Sequence, residues 1–354
     1  MPGDAPINVG IVGAGGIAAL SHLPEIDKVE GLAVTRLCGR KESRLKLLCE
    51  RHGVPRYGFD EDELIADPEV HAVLVATPHP LHAAAALKAL RAGKHVFLQK
   101  PLCASLEEAD ALVEAARARP DLCVYCRPSL DADARTLRQA IAEGRIGKPS
   151  GAYCRYSHGG PEIYYAEVAD AFNEPRQEDD LWFYDPSQAS VGALFDMGIY
   201  AVAKLVAVFG RAKSVSARLS ALHKPTALED TAVLALEFAD GLLATAETSW
   251  NDPARTAVLN AHGTQGKLLY DGSKADRAAE WVQPGSYERE WAAPTRDLLP
   301  LAEAPNQHRV WRDAIRSGRQ PEFSNIDTAR HLMRLLFAAL ESNASGNRVE
   351  IPAD

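Results

Sequence analysis

From residue 7 to about residue 125, short apolar runs alternate with stretches whose apolar positions recur at helical spacing. "INVGIVG", "AVTRLCG", "AVLVATP", "HVFLQKP" and "LCVYC" read as strands. "GIAALSHLPEI", "ESRLKLLCERHG", "DEDELIADP", "PLHAAAALKALRAGK" and "SLEEADALVEAARARP" read as the helices between them. Ser105 stands three residues before Glu108 and gives the last helix a capping box, and "KESRLKLL" is expected to start on a usable cap as well. Strict alternation of strand and helix predicts a parallel sheet with helices on both faces.

The pattern changes after residue 126. One helical piece, "LDADARTLRQAIAEGRIG", is followed by longer segments of period-two character: "SGAYCRYSH", "SVSARLSALH", "DTAVLALEFADGLLATAETSW", "TAVLNAHGTQGKLLYDG" and "AEWVQPGSYEREW". In "FADGLL", Asp240 and Gly241 stand between apolar arms and signal a hairpin turn. A covering helix is expected near "DTARHLMRLLFAALESNAS". The fold class expected is α/β: a doubly wound Rossmann domain over residues 1–126, then an α+β domain with a large, open, mostly antiparallel sheet over residues 127–354. Segment 158–190, rich in acids, prolines and aromatics, reads as the least regular part, a binding loop or lid.

Composition narrows the class. The 354 residues are 46% hydrophobic and 25% charged with a net charge of −9, which suits a soluble globular protein and argues against a nucleic-acid binder. No apolar run has the length of a membrane span, and no membrane association is expected. "MPGDAPINVGIVGAGG" carries an acidic residue where a secretory leader would carry positive charge, so a cytoplasmic protein is expected. Cys38, Cys49, Cys103, Cys123, Cys126 and Cys154 do not space as a disulfide framework, and "CVYC" at 123–126 reads as small apolar strand positions. His22, His79 and His82 lack the spacing of metal ligands; no metal is expected, and His22 is assigned a structural role.

"VGIVGAGGIA" has the pattern G-x-G-x-x-A directly after the first strand and opening the first helix. Gly13 permits the tight turn, Gly15 lets the backbone approach a pyrophosphate, and Ala18 allows close helix packing, with Gly16 and Ile17 contributing the helix N-terminus. At the end of the second strand, "LCGRKESR" offers Gly39, Arg40, Lys41 and Arg44 and no carboxylate at the strand end. Cations there suit a 2′-phosphate, so NADP is expected in preference to NAD; the competing reading makes Arg40 and Lys41 a solvated turn. Thr77, Pro78, His79 and His82 in "TPHPLHAA" lie where a strand meets its helix. With Gln99 and Lys100 at the next strand's end they are candidate cofactor contacts, because ligands bind at the carboxyl edge of such sheets.

These motifs, with "LFDMGIYAV", "AEGRIGKP" and "AHGTQGKLLYDG" in order along nearly the whole chain, resemble the glucose-fructose oxidoreductase / inositol dehydrogenase / rhizopine catabolism (Gfo/Idh/MocA) family of NAD(P)-dependent oxidoreductases. The resemblance implies a Rossmann domain followed by an α/β domain with an open sheet, acting on carbinol and carbonyl carbons of sugars, cyclitols and related small molecules. The family's Glu-Lys-Pro maps onto Gln99, Lys100 and Pro101, which implies that Lys100 reaches the reacting oxygen and suggests a cis bond before Pro101. Gln99 keeps the size of the family glutamate and loses its charge. The family's Asp-x-Gly-x-His maps onto Asp196, Gly198 and Tyr200, and the tyrosine resembles the branch of glucose-fructose oxidoreductase and the dimeric dihydrodiol dehydrogenases. In a helix Asp196 and Tyr200 would share a face.

A phenol of pKa about 10 needs a neighbouring cation to work near neutral pH. The roles expected are that Lys100 polarises the substrate oxygen, Tyr200 exchanges the proton and Asp196 orients a hydroxyl. Arg127, Trp182 and Tyr184 are further candidate substrate contacts, the aromatics because ring faces suit a sugar. The partner expected is a small polyhydroxylated substrate, with a homodimer or homotetramer formed through the second sheet. Two other readings are a non-catalytic NAD(P)/sugar-sensing regulator of the same fold and a glycosidase assisted by tightly held NAD.

Overall fold

Six strands open the chain: β1 (Ile7–Val12), β2 (Leu32–Cys38), β3 (Arg56–Gly58), β4 (Ala72–Val75), β5 (His95–Leu98) and β6 (Val124–Cys126). In this computed structural model, which describes residues 5–128, 132–176, 181–189, 191–272, 278–283, 294–301 and 305–352, they pair in parallel in the order β3-β2-β1-β4-β5-β6. The order reverses between β1 and β4, the switch point at which doubly wound sheets bind ligands.

The chain forms two units that interleave along the sequence. The first comprises Met1–Ser129, Pro161–Ser190 and Pro305–Met333; the second comprises Leu130–Gly160, Val191–Ala304 and Arg334–Asp354. The core of the first joins Ile7, Val9 and Ile11 of β1 to Phe97 of β5, and it is completed by Val168, Phe172, Trp311 and Ile315 from the two returning segments. Each such buried side chain contributes roughly 1.5–3 kcal/mol.

Two returning helices carry these residues, and the sequence reading placed neither. Pro161–Phe172 lies within the segment expected to be irregular, of which residues 177–180 and 190 are outside the described residues. Its acids, Glu162, Glu167 and Asp170, are exposed while Val168, Ala169 and Phe172 turn inward, so the acids do not break the helix. Gln307–Ser317 is capped by Asn306, whose Oδ1 accepts from the His308 and Arg309 amides, and it ends at Gly318 with φ 66°.

The second unit holds β7 (Pro149–Ser157), β8 (Ala212–Ser220), β9 (Thr231–Phe238), β10 (Leu243–Ser249), β11 (Thr256–Gly263), β12 (Gly266–Asp271), β13 (Ala278–Gln283), β14 (Thr295–Pro300) and β15 (Val349–Glu350). Their order is β14-β13-β12-β11-β7-β10-β9-β8-β15, antiparallel except where β7 meets β10. The hairpin expected at Asp240 and Gly241 joins β9 to β10, both residues having positive φ. The reading missed β3, β14 and β15, which are short or exposed, and its last strand shrinks to β13, residues 284–291 lying outside the described residues.

The Ser105 cap is present, its Oγ accepting from the Glu108 amide at 3.2 Å. The cap expected at "KESRLKLL" is not: the Glu42–His52 helix starts from Lys41 with no side-chain cap, because Ser43 falls inside the first turn. All six cysteines are unbridged, and burial pushes the Cys123 thiol up to about 12. Among the described residues, no helix is long and apolar enough to cross a membrane.

Candidate functional site

The glycine-rich turn follows β1 as the motif requires. Gly13 has φ 85°, and a Cβ there would lie 2.5 Å from the Thr77 amide nitrogen, so only glycine lets this turn close on the end of β4. A Cβ on Gly15 would meet nothing nearer than the Gly13 carbonyl at 3.9 Å, so its missing side chain leaves open space beside the turn. Gly16 is packed instead, with a Cβ position 2.4 Å from Val168 Cγ2. Thr77 adds a second sign of a missing partner: its hydroxyl oxygen is buried and makes no hydrogen bond to the described residues. The closed turn at Gly13, the open space at Gly15 and the orphaned Thr77 hydroxyl fit a bound dinucleotide.

At the end of β2 the cations expected to suit a 2′-phosphate differ in their surroundings. Arg40 and Lys41 are exposed, but Arg44 is half-buried over the Phe172 ring, 4.6 Å from its centroid. Its Nε donates to Glu174 Oε1 at 2.7 Å and its Nη2 donates to Glu174 Oε2. Gly39 lies close under Ala14, a Cβ there falling 3.4 Å from the Ala14 oxygen.

At the ends of β4 and β5, His82 is fully buried, with its Nδ1 2.8 Å from the Pro101 oxygen and its Nε2 2.8 Å from the Thr77 oxygen. Both ring nitrogens thus face main-chain carbonyl oxygens, one at the Lys100 turn and one at the end of β4, and a neutral imidazole donates to one of them. Burial drives it down to about 4 against the pull of those carbonyls. His79 is buried beside Trp182, ring centroids 6.1 Å apart, and Pro78 precedes it at the strand exit. Trp182 stacks on Phe183 at 4.1 Å, and the Tyr184 hydroxyl donates to Glu162.

Gln99 stands at the centre of a polar chain buried in the first unit. Its Oε1 accepts from the Lys100 amide at 2.9 Å, and its Nε2 is 3.0 Å from His22 Nε2. His22 Nδ1 in turn is 2.9 Å from His308 Nε2, and His308 Nδ1 lies 3.3 Å from Glu25 Oε2. Gln307 donates to the same carboxylate at 2.6 Å and accepts from Arg127. Burial, then the neighbouring His308 and Arg127, hold His22 well below its ordinary 6.5. Burial pushes Glu25 up, but the donors at its oxygens from His308, Gln307 and Ser21 outweigh it and hold the carboxyl at about 2. The bonds before Pro101 and Pro128 are both cis, which places half-buried Lys100 and Arg127 each at a cis turn.

In the second unit Asp196 lies in a widened π turn, Leu194–Gly198, that leads into the helix Ile199–Phe209. Such turns recur at functional sites. The widening also means that positions 196 and 200 do not follow simple α-helical spacing. Asp196 Oδ2 accepts from Trp250 Nε1 at 2.9 Å and lies 3.3 Å from His158 Nε2. The Gly160 amide donates to His158 Nδ1 at 2.8 Å, so a neutral His158 carries its proton on Nε2, toward Asp196. Tyr200 is half-buried and stacked on Tyr156, ring centroids 5.8 Å apart.

Sequence reasoning missed His158, Trp250, Glu174, Glu25, Gln307 and His308. A histidine ending a strand pattern at 158 and the Asn306 cap ahead of Gln307 and His308 were visible signals. Nothing in the sequence singles out Glu174.

Residues 7–125 match a family model described as "Oxidoreductase family, NAD-binding Rossmann fold", and residues 134–269 match one described as "GFO/IDH/MocA C-terminal domain". The chain is 27% identical over 345 residues to 1,5-anhydro-D-fructose reductase of Ensifer adhaerens, covering 97% of this chain and 98% of that protein. It is 26% identical to the scyllo-inositol 2-dehydrogenase (NADP(+)) IolW of Bacillus subtilis (strain 168), over 66% of this chain and 60% of that one. Levoglucosan dehydrogenase, solved with NADH and levoglucosan, shares the fold with a TM-score of 0.80 at 20% identity, covering 98% of this chain and 100% of that one.

Proposed function

This chain belongs to the GFO/IDH/MocA family of oxidoreductases, and from that premise we propose that it moves a hydride between a nicotinamide cofactor, NADP in preference to NAD, and a carbinol or carbonyl carbon of a sugar, cyclitol or related polyhydroxylated molecule. The relatives' named activities, on anhydrofructose and inositol, support that substrate class. The observation that carries the reading is the Asp196 carboxylate, fixed by Trp250 and beside His158, in the π turn that opens the Tyr200 helix. An ionised carboxylate accepts from a hydroxyl, and one held in place by an indole is suited to orient a substrate hydroxyl.

The bound cofactor supplies the hydride acceptor or donor. The chain's residues do the rest. Lys100 polarises the reacting oxygen, Tyr200 takes the hydroxyl proton during oxidation and returns it during reduction, and Asp196 orients the neighbouring hydroxyl. Gly13, Gly15, Gly16, Ile17, Ala18, Gly39, Arg40, Lys41, Thr77, Pro78 and His79 are assigned to the cofactor, and Trp182, Tyr184 and Arg127 to the walls of the substrate site. A homodimer or homotetramer through the nine-stranded sheet goes with this reading, and the exposed Val233 and Leu243 on one face of β9 and β10 support it. Tyr200→Phe is the test: kcat falls by about 10²-fold or more while the affinity for NADP⁺ stays that of the wild type. Turnover near wild type would remove Tyr200 from the mechanism, and a chain that binds neither nicotinamide cofactor would remove the function.

A further inference from the structure

The second strand of a dinucleotide-binding fold usually ends in an acidic residue that accepts from the ribose 2′-hydroxyl. Here Gly39 is followed by Arg40 and Lys41, with Arg44 in the next turn and no carboxylate at the strand end, yet the folded first unit brings a carboxylate to Arg44 from 130 positions further on. The helix Pro161–Phe172 packs its Val168 and Phe172 into the Rossmann core beside Gly16. It then stops at Asn173, whose φ of 54° turns the chain, and the Glu174 amide closes the turn on the Ala169 oxygen at 2.9 Å. The turn sets Glu174 against Arg44 in a two-pronged contact, and its Oε2 lies 3.9 Å from Lys41 Nζ. Glu42, also nearby, is turned toward Lys46 at 3.0 Å and the Tyr57 hydroxyl at 3.0 Å.

We infer that Glu174 is a specificity-determining residue for the cofactor: its carboxylate takes up the guanidinium fork of Arg44 and offsets the charge of Lys41, and so holds back this chain's preference for a 2′-phosphate. The geometry gives the reason. A planar fork recognises a carboxylate and a phosphate by the same two parallel hydrogen bonds, so Glu174 and a 2′-phosphate are competitors for Arg44. Glu174 is tethered to the core through Phe172, whose ring also lies under the guanidinium, so the competition is intramolecular. A ribose 2′-hydroxyl carries no charge and needs none of these cations, so NAD binding is indifferent to the contest.

This inference rests on the nicotinamide-cofactor reading, and direct binding separates the two. The full chain and its Glu174→Gln variant are titrated calorimetrically with NADP⁺ and NAD⁺. The expected result is that the variant's Kd for NADP⁺ falls about tenfold while its Kd for NAD⁺ stays within about twofold, because one competing negative charge has gone. The gain should shrink as salt is added. Glu174→Ala, which also lacks the carboxylate, gives the same shift and serves if the first variant does not fold. Glu174→Asp, which keeps the charge, stays near the wild-type ratio. An NADP⁺/NAD⁺ ratio that is unchanged when the carboxylate is removed overturns the inference alone. A wild-type chain that binds neither cofactor overturns the functional reading beneath it.

Discussion

Replacing Gln99 with glutamate would exchange one amide for a carboxylate in the middle of a hydrogen-bond chain whose direction is fixed. The Lys100 amide can only donate, so the Gln99 atom that it meets at 2.9 Å must be the oxygen, and the nitrogen must face His22. His22 Nε2 therefore accepts, its proton sits on Nδ1, and that proton is donated to His308 Nε2. His308 in turn carries its proton on Nδ1, toward Glu25. The chain thus runs through one amide and two neutral imidazoles, and His308 Nδ1 ends it 3.3 Å from a carboxylate held at about 2.

In Gln99→Glu the new oxygen faces the His22 lone pair. At pH about 8 the buried contact is repulsive, and losing a buried partner costs about 1–3 kcal/mol. Below that pH His22 can take a proton and donate to both neighbours. In the wild type, burial lowers the His22 pKa in the folded state, so its contribution is present above the unfolded value of 6.5 and fades as pH falls below it. In the variant, a carboxylate partner raises the folded pKa, so the contribution is full below the unfolded value and is lost as pH rises through the folded one. The stability gap between the two proteins should therefore be widest near pH 8 and narrow steadily toward pH 6. Each unit of pKa rise is worth about 1.4 kcal/mol. Urea unfolding at a series of pH values measures the gap, and ¹⁵N chemical shifts of the imidazoles report the His22 protonation state directly. A gap that does not change with pH, or a His22 that stays neutral in a variant as stable as the wild type at pH 8, would refute the assigned direction of the chain.

Three further outcomes follow from contacts within single units. Gly13→Ala should lose about 1–3 kcal/mol of stability from its positive φ alone, and more from the clash with Thr77, whereas Gly15→Ala should melt like the wild type and lose only cofactor affinity; thermal melts paired with NADP⁺ titration read both. Lys204 Nζ and Asp133 Oδ2 form an ion pair 2.5 Å apart with both side chains buried, so Lys204→Met should cost roughly 3–5 kcal/mol in urea unfolding by stranding Asp133, and adding Asp133→Leu should restore most of it. Because burial takes His82 from 6.5 to about 4, its contribution is present above pH 6.5 and about 3 kcal/mol of it is lost as pH falls to 4; His82→Gln should flatten that acid limb in pH-dependent melting.

The contrast between Gln99 and Glu174 shows what a chain pattern can and cannot carry. Strand–helix alternation and the spacing of Gly13, Gly15 and Ala18 are local, and each follows from steric and packing demands that act within one turn, which is why the parallel sheet and the glycine-rich turn after β1 were legible. The residue types at Gln99, Lys100, Arg44, Asp196 and Tyr200 were legible too. Their partners were not. His308 is 286 positions from His22, and Glu174 is 130 from Arg44. Both arrive because the chain leaves the first unit and returns twice, and that itinerary depends on where the inward faces of Pro161–Phe172 and Gln307–Ser317 find apolar surface. The charge at the β2 end is therefore not a property of "GRKESR" alone. A helix selected for packing Val168 and Phe172 against the Rossmann core fixes where residue 174 must fall, so a substitution that shifts this helix by one turn would move the carboxylate off Arg44 and alter the cofactor preference without touching any residue of the dinucleotide motif.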